Sequence, residues 1–170
     1  TPVSIDTVGP TGQPSAAVYA RRGASAVVEL ASGVGLTALP GCRPDPLRAS
    51  TFGLGIVIAH ALDKGARNIV VGIGGSASTD GGTGLLRALG AHIYDADGRD
   101  VRLGGGALCT ASRLDLTGLH PAARTAHFQV ATDVDNPLLG PRGAAHNYGP
   151  QKGASAADVE VLEVAMAQWA

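Results

Sequence analysis

Apolar and polar positions change rhythm along this chain, and each rhythm predicts an element. Ser15–Arg21 (SAAVYAR) and Ala24–Leu30 (ASAVVEL) flank Arg22-Gly23 and read as two strands joined by a tight turn. Between Ser50 and Lys64, the residues Ile56, Val57, Ala59, His60 and Ala61 fall on or near one side of a helix. Ser50 or Thr51 is its cap and Gly65 its stop. Asn68–Ile73 (NIVVGI) is apolar without alternation, the pattern of a central strand covered on both faces. Further on, Thr83–Leu89 predicts a helix ended by Gly90, and Ala91–Asp95 a strand turned by Asp97-Gly98. A short helix over Ala107–Ser112 follows Gly104–Gly106, and His127–Thr132 (HFQVAT) is another strand. Ser155 and Asp158 have the spacing of a capping box for a helix over Ala156–Ala170. Pro40–Pro46 holds three prolines in seven residues and is a connector, while Ser32–Gly35 is a loop or a single helical turn.

Helices alternate with strands, so the fold class is α/β, expected as a mixed, largely parallel sheet with helices packed on it. The 170 residues suit one domain with its own core, and no internal boundary interrupts them. Composition narrows the function. A formal net charge of -1 gives no electrostatic case for nucleic acid or an anionic membrane. No apolar run has the length of a membrane span, and Thr1–Pro10 is not a signal peptide. Cys42 and Cys109 lack metal-ligand spacing, which predicts a reduced, cytoplasmic protein. Both ends have the character of cuts, and the chain is expected to be a fragment of a longer one.

Candidate chemistry concentrates in three loops. The first lies in Val70–Gly84 (VVGIGGSASTDGGTG), where six of fifteen residues are glycine. Strand, glycines and then helix point backbone N–H groups at an anion. Gly74 and Gly75 offer backbone, Ser76, Ser78 and Thr79 offer hydroxyls, and Asp80 could hold a metal or a substrate hydroxyl. With no lysine in the stretch, it is not a Walker-type loop. Gly72–Ala77 also matches the dinucleotide fingerprint G-x-G-x-x-A, with Asp95 and Asp97 about twenty residues on. A dinucleotide site, however, needs its helix to start within the motif, and Ser76–Gly82 continues the loop.

The second loop is ATDVDNPLLGPRG, Ala131–Gly143. Asp133 and Asp135 stand two apart at a strand's C-terminal end, where open α/β sheets bind ligands. In extended chain they project to one side and could share a cation, or one could serve as a base. The third loop, Asn147–Gly153 (NYGPQKG), carries Lys152, one of only two lysines against eleven arginines. A lysine among glycines just before a helix suits a phosphate or carboxylate. No nucleophile elbow or zinc pattern accompanies these loops.

Read in order, GIGGSASTDGGTG, DADGRDVRLGGGAL, ATDVDNPLLGPRG and YGPQKGAS resemble the type I glycerate kinase family, as do the upstream TVGPTGQPSAAVYARRGASAVVELASGVGL and RPDPLRASTFGLG. The resemblance covers nearly the whole chain. Where that family usually has Thr-Asn-Asp, this chain has Ser78-Thr79-Asp80, which keeps the acid and replaces the amide. The resemblance implies ATP-dependent phosphorylation of D-glycerate with Mg²⁺, in an enzyme of two α/β domains, one inserted in the other. Residues 1–170 are similar to the inserted domain. Flanking motifs that belong mainly to the other domain are missing, so the chain alone is expected to fold without catalysing the transfer. The site set expected is Asp80, Asp133 and Asp135 for catalysis, the two latter also for metal. Gly74, Gly75, Ser76, Ser78, Thr79, Asn136 and Lys152 are expected to hold substrate or phosphate. Homo-oligomer formation stays open, as do a dinucleotide-binding oxidoreductase domain and a non-catalytic binding half.

Overall fold

A computed structural model describes residues 1–170 apart from the side chain of Cys42. A five-stranded sheet organises the chain. Its strands are β1 (Pro2–Val8), β2 (Pro14–Arg22), β3 (Ser25–Glu29), β4 (Asn68–Gly72) and β7 (His127–Ala131), adjacent in that order. The β1–β2 and β2–β3 pairs are antiparallel, and β3–β4 and β4–β7 are parallel. This is the mixed α/β sheet that the alternation of elements predicts. A separate antiparallel ribbon pairs β5 (His92–Tyr94) with β6 (Arg113–Asp115).

Helix α1 (Leu30–Val34) follows β3 directly, and α2 (Phe52–Asp63) makes the crossover to β4. Ala26 and Val28 of β3 and Ile69 and Val71 of β4 turn inward onto Val57, Ile58, Ala61 and Leu62 of α2, forming the main core. Val27 is 47% exposed on the other face. That corrects one expectation for β4: Ile69 and Val71 are buried, but Val70 and Gly72 are only half-buried. The main core lies against α2, and alternation along the strand turns Val70 away from it.

Helix α3 (Thr83–Ala88) packs on α2. Helix α5 (Ala156–Trp169) lies against a 3-10 segment, Gly105–Thr110, and a second core forms from Ile93, Leu108, Ala165 and Met166. The predicted capping box is present: Ser155 Oγ accepts from the Asp158 amide, and Asp158 accepts from the Ser155 amide at 2.9 Å. Three elements add to the sequence reading, namely β1, β6 and α4 (Ala144–Tyr148).

Candidate functional site

Parallel pairing sets Gly72 beside Ala131, so the loops that leave β4 and β7 start side by side at the same end of the sheet. They enclose a cleft of about 300 Å³ with the segment that precedes α5. Ile73, Gly74, Gly75 and Ser76 form one wall, and Ala131, Thr132, Asp133 and Val134 another. Ala144, Tyr148, Gln151 and Lys152 close it. The larger cavity of about 650 Å³ beside Arg48 and Arg102 contains no residue of these loops.

The glycine loop divides into an open part and a buried part. Gly74 and Gly75 are exposed and Ser76 half-buried. Gly75 takes a left-handed φ of 68°, a turn that a side chain would strain. Behind it, Ser76 bridges to Gly35, and the amide of Leu36 donates to the Gly75 carbonyl at 3.1 Å. From Ala77 to Asp80 every residue is buried. Ser78, Thr79 and Asp80 therefore stand behind the cleft instead of lining it.

Asp80 is the clearest departure from the expected site. It is 2% exposed, and its Oδ2 accepts from Thr51 N at 2.8 Å, Thr51 Oγ1 at 2.9 Å, and Ser50 Oγ and Gly84 N at 3.2 Å each. Its Oδ1 accepts from Gly82 N at 3.3 Å. Five donors converge on one carboxylate, which leaves it tying the loop to the start of α2. Thr51 stands at the N-cap of α2 without a side-chain bond to the helix, its hydroxyl accepting instead from the Leu85 amide, while Ser50 Oγ accepts the first helical amide, that of Phe52, at 3.2 Å. In this geometry both oxygens of Asp80 are turned to neighbouring donors and away from the cleft wall.

Lys152 reaches the same loop from the other side. Its ammonium donates to the Ser78 carbonyl and, at 3.4 Å, to Thr79 Oγ1. The residue is only 8% exposed, yet no carboxylate lies within ion-pair distance among the described residues. Burial pushes the ammonium down from its ordinary 10.5 to about 8, against a partial pull upward from the Asp80 charge. A cation so placed, at the wall of a cleft, has a donor to spare for an anion.

In the β7 loop the two aspartates separate. Asp133 lines the cleft, exposed and without a hydrogen-bond or ion-pair partner among the described residues, whereas Asp135 is not part of the wall. The shared side expected of extended chain is not realised as a shared cleft: β7 ends its pairing at Ala131, and only Asp133 reaches the wall. No cluster of three or more His, Cys, Asp or Glu suited to a metal occurs among the described residues. Asn136 spends both ends of its amide inside the loop: Oδ1 accepts from Tyr148 Oη at 2.5 Å and Nδ2 donates to the Arg142 carbonyl at 2.9 Å. It tethers the loop and lies outside the cleft wall.

Sequence reasoning passed over Thr132, Tyr148 and Gln151 as wall residues. All three sit inside motifs it had marked, next to residues with more obvious chemistry. The dinucleotide fingerprint does not gain a helix, since α3 starts only at Thr83, beyond the whole Gly72–Ala77 motif.

The site is a cleft at the parallel strand ends of a mixed α/β sheet, walled by a glycine loop, a free carboxylate and a buried lysine, which defines an α/β fold with a strand-end ligand cleft. Residues 1–170 match the model of the glycerate kinase family throughout, and the chain belongs to that family. It is 43% identical to a glycerate kinase of Bacillus subtilis (strain 168), over 95% of this chain and 43% of the relative. It is 44% identical to a glycerate 2-kinase of Escherichia coli (strain K12), over 87% of this chain and 39% of the relative. The crystal structure of a protein described as a candidate glycerate kinase 2, from Salmonella typhimurium LT2, superposes with a TM-score of 0.96 at 42% identity. That match covers 100% of this chain and 47% of the other. The chain thus spans under half the length of these relatives. No helix among the described residues is long and apolar enough to cross a membrane.

Proposed function

We propose that this chain forms one half of a glycerate kinase active site, in a protein that transfers the γ-phosphoryl group of ATP to a hydroxyl of D-glycerate. The observation that carries the reading is Lys152, a buried ammonium without a carboxylate partner at the wall of the strand-end cleft. Phosphoryl transfer asks a protein for positioning and charge neutralisation more than for a nucleophile of its own, and this cleft offers those tools.

In this reading the hydroxyl oxygen of glycerate forms a bond to the γ-phosphorus as the bond to the β–γ bridging oxygen breaks. ADP leaves, and the hydroxyl proton passes to a base or to water. Gly74 and Gly75 can bring backbone close to an anion, Ser76 supplies a hydroxyl, and Lys152 supplies positive charge. Asp133 fits a Mg²⁺ ion, because its carboxylate opens on the cleft without a competing partner; Mg²⁺ takes one or two carboxylates and keeps waters and phosphate oxygens as its other ligands. Bound there, the ion would neutralise phosphate charge. Asp135, one residue beyond the wall, is the weaker candidate for the same ion. The other half of the longer protein would supply the rest of the ligand shell, which makes turnover by residues 1–170 alone negligible.

The test is ADP release with D-glycerate by the full-length protein, coupled to NADH oxidation. Asp133→Asn is expected to lower kcat by about a hundredfold, the scale of losing one transition-state charge contact. Its unfolding midpoint should stay unchanged, and Asp135→Asn should cost less. Absence of glycerate-dependent ADP release from the wild-type protein would overturn the reading.

A further inference from the structure

Glu163 stands midway along α5, and its two carboxylate oxygens serve two different elements. Oε1 accepts the amide N–H of Gly140 at 2.5 Å. Oε2 lies 3.5 Å from His146 Nδ1 on α4, and these two buried atoms have no other partner. One turn earlier on α5, Glu160 faces the second ring nitrogen of His146 at 3.6 Å. The helix that carries both glutamates is fixed, with Leu162, Ala165 and Met166 fully buried on its inner face.

Gly140 is the bend of the loop that starts at Asp133. It has a left-handed φ of 88°, and its carbonyl accepts from the Gly143 amide at 2.7 Å. Between the bend and Asp133, the loop is held through the Asn136 amide, by Tyr148 and the Arg142 carbonyl, and through the Leu138 carbonyl, which accepts from the Ala144 amide at 3.1 Å. Of these ties, only that of Glu163 comes from α5. A carboxylate accepting a backbone N–H makes a charge-assisted bond, stronger than the neutral ties around it.

We infer that Glu163 is a positioning residue: it locks the Gly140 bend onto α5 and so fixes where Asp133 stands at the cleft. Glu163 itself is not part of the cleft wall. The loop anchoring rests on geometry alone, and its effect on turnover rests on the kinase reading above.

The experiment uses the full-length protein with Glu163→Ala, Glu163→Gln and Glu163→Asp. Amide exchange at Gly140 is followed by NMR beside kcat and KM for glycerate. In Glu163→Ala, exchange at Gly140 should accelerate at least about tenfold and kcat fall about tenfold, with KM changed less than about threefold, as expected when a group is misplaced rather than removed. Glu163→Gln retains an oxygen for the Gly140 amide and should restore both. If Glu163→Ala does not fold, Glu163→Asp, whose acceptor is withdrawn by one methylene, should show the same loss. Unchanged exchange at Gly140 in Glu163→Ala or Glu163→Asp overturns the inference, as does faster exchange with kcat intact where Asp133→Asn is impaired. If the wild-type protein does not phosphorylate glycerate, the kinase reading fails and the Gly140 exchange alone decides the anchoring.

Discussion

The ammonium of Lys152 donates to the carbonyl of Ser78, a residue 74 positions earlier in the chain. One lysine thereby joins the glycine loop after β4 to the turn before α5, and it does so as a buried cation facing neutral oxygens.

That burial sets a pH signature. With the folded-state value lowered to about 8, the unfolded chain binds the proton more tightly than the folded one between about 8 and 10.5. Stability should therefore rise as pH climbs through that window. The gap corresponds to about 3 kcal/mol at most, at 1.36 kcal/mol per pH unit. Lys152→Met should flatten this rise in urea titrations across the same range.

The same residue should show itself in ligand binding, with the opposite slope. An anion needs the charged ammonium, so affinity in the wild-type protein should weaken above about pH 8. Steady-state kinetics of Lys152→Met should give a raised KM, by about tenfold for one lost charge contact, and no fall of affinity in that range. The substrate whose KM moves identifies the anion that Lys152 meets.

Asp80 should behave as a structural residue. Replacement by Asn puts an amide N–H where two carboxylate oxygens now take five donors, and Asp80→Ala leaves those donors unsatisfied. Asp80→Ala is expected to cost about 3–5 kcal/mol, the range for breaking a buried charged network. Asp80→Asn should cost somewhat less. Chemical denaturation measures both, and a stable Asp80→Ala protein without turnover would instead make Asp80 catalytic.

Gly84 tests how closely the loop and α2 are fitted. A Cβ there would stand 2.1 Å from Ser50 Oγ and 2.6 Å from the backbone nitrogen of Phe52. Backbone cannot yield as a side-chain tip can, so Gly84→Ala should destabilise by about 2–4 kcal/mol, more than a typical surface change. Gly74 has nothing within 4 Å of the same position, and Gly74→Ala should leave the midpoint nearly unchanged.

Elements that bury a repeating apolar pattern were legible in the sequence: β2, β3, α2 and α5 follow their periods, while β4 was legible as an unbroken apolar run and β7 as a strand although all five of its residues are exposed. The additional strand β1 has Thr7 at its most buried position, where an apolar residue would have completed the alternation. Thr7 is satisfied there by donating to the Gly53 carbonyl at 2.8 Å. Strand β6 has three residues and α4 five, too few for a period to show. At the site, the three loops were found because glycines, acids and a rare lysine mark them. The inward turn of Asp80 was not legible, because its partners Ser50 and Thr51 lie about thirty positions away and only the fold brings them there. Glu163 was hidden for the same reason: on a helical wheel it is one more surface acid.

Strand β7 pairs with β4 along one side, and all five of its residues are exposed. Its outer side is a sheet edge without proline or lysine, and Phe128 and Val130 stand beside it at 37% and 57% exposure. Proteins commonly blunt such edges with charge, a bulge or a covering element, since an open strand is a template for another. Handled as an isolated 170-residue polypeptide, this chain carries a solubility hazard that its modest net charge of -1 does little to offset. A single lysine in place of Val130 is the smallest change that would blunt that edge.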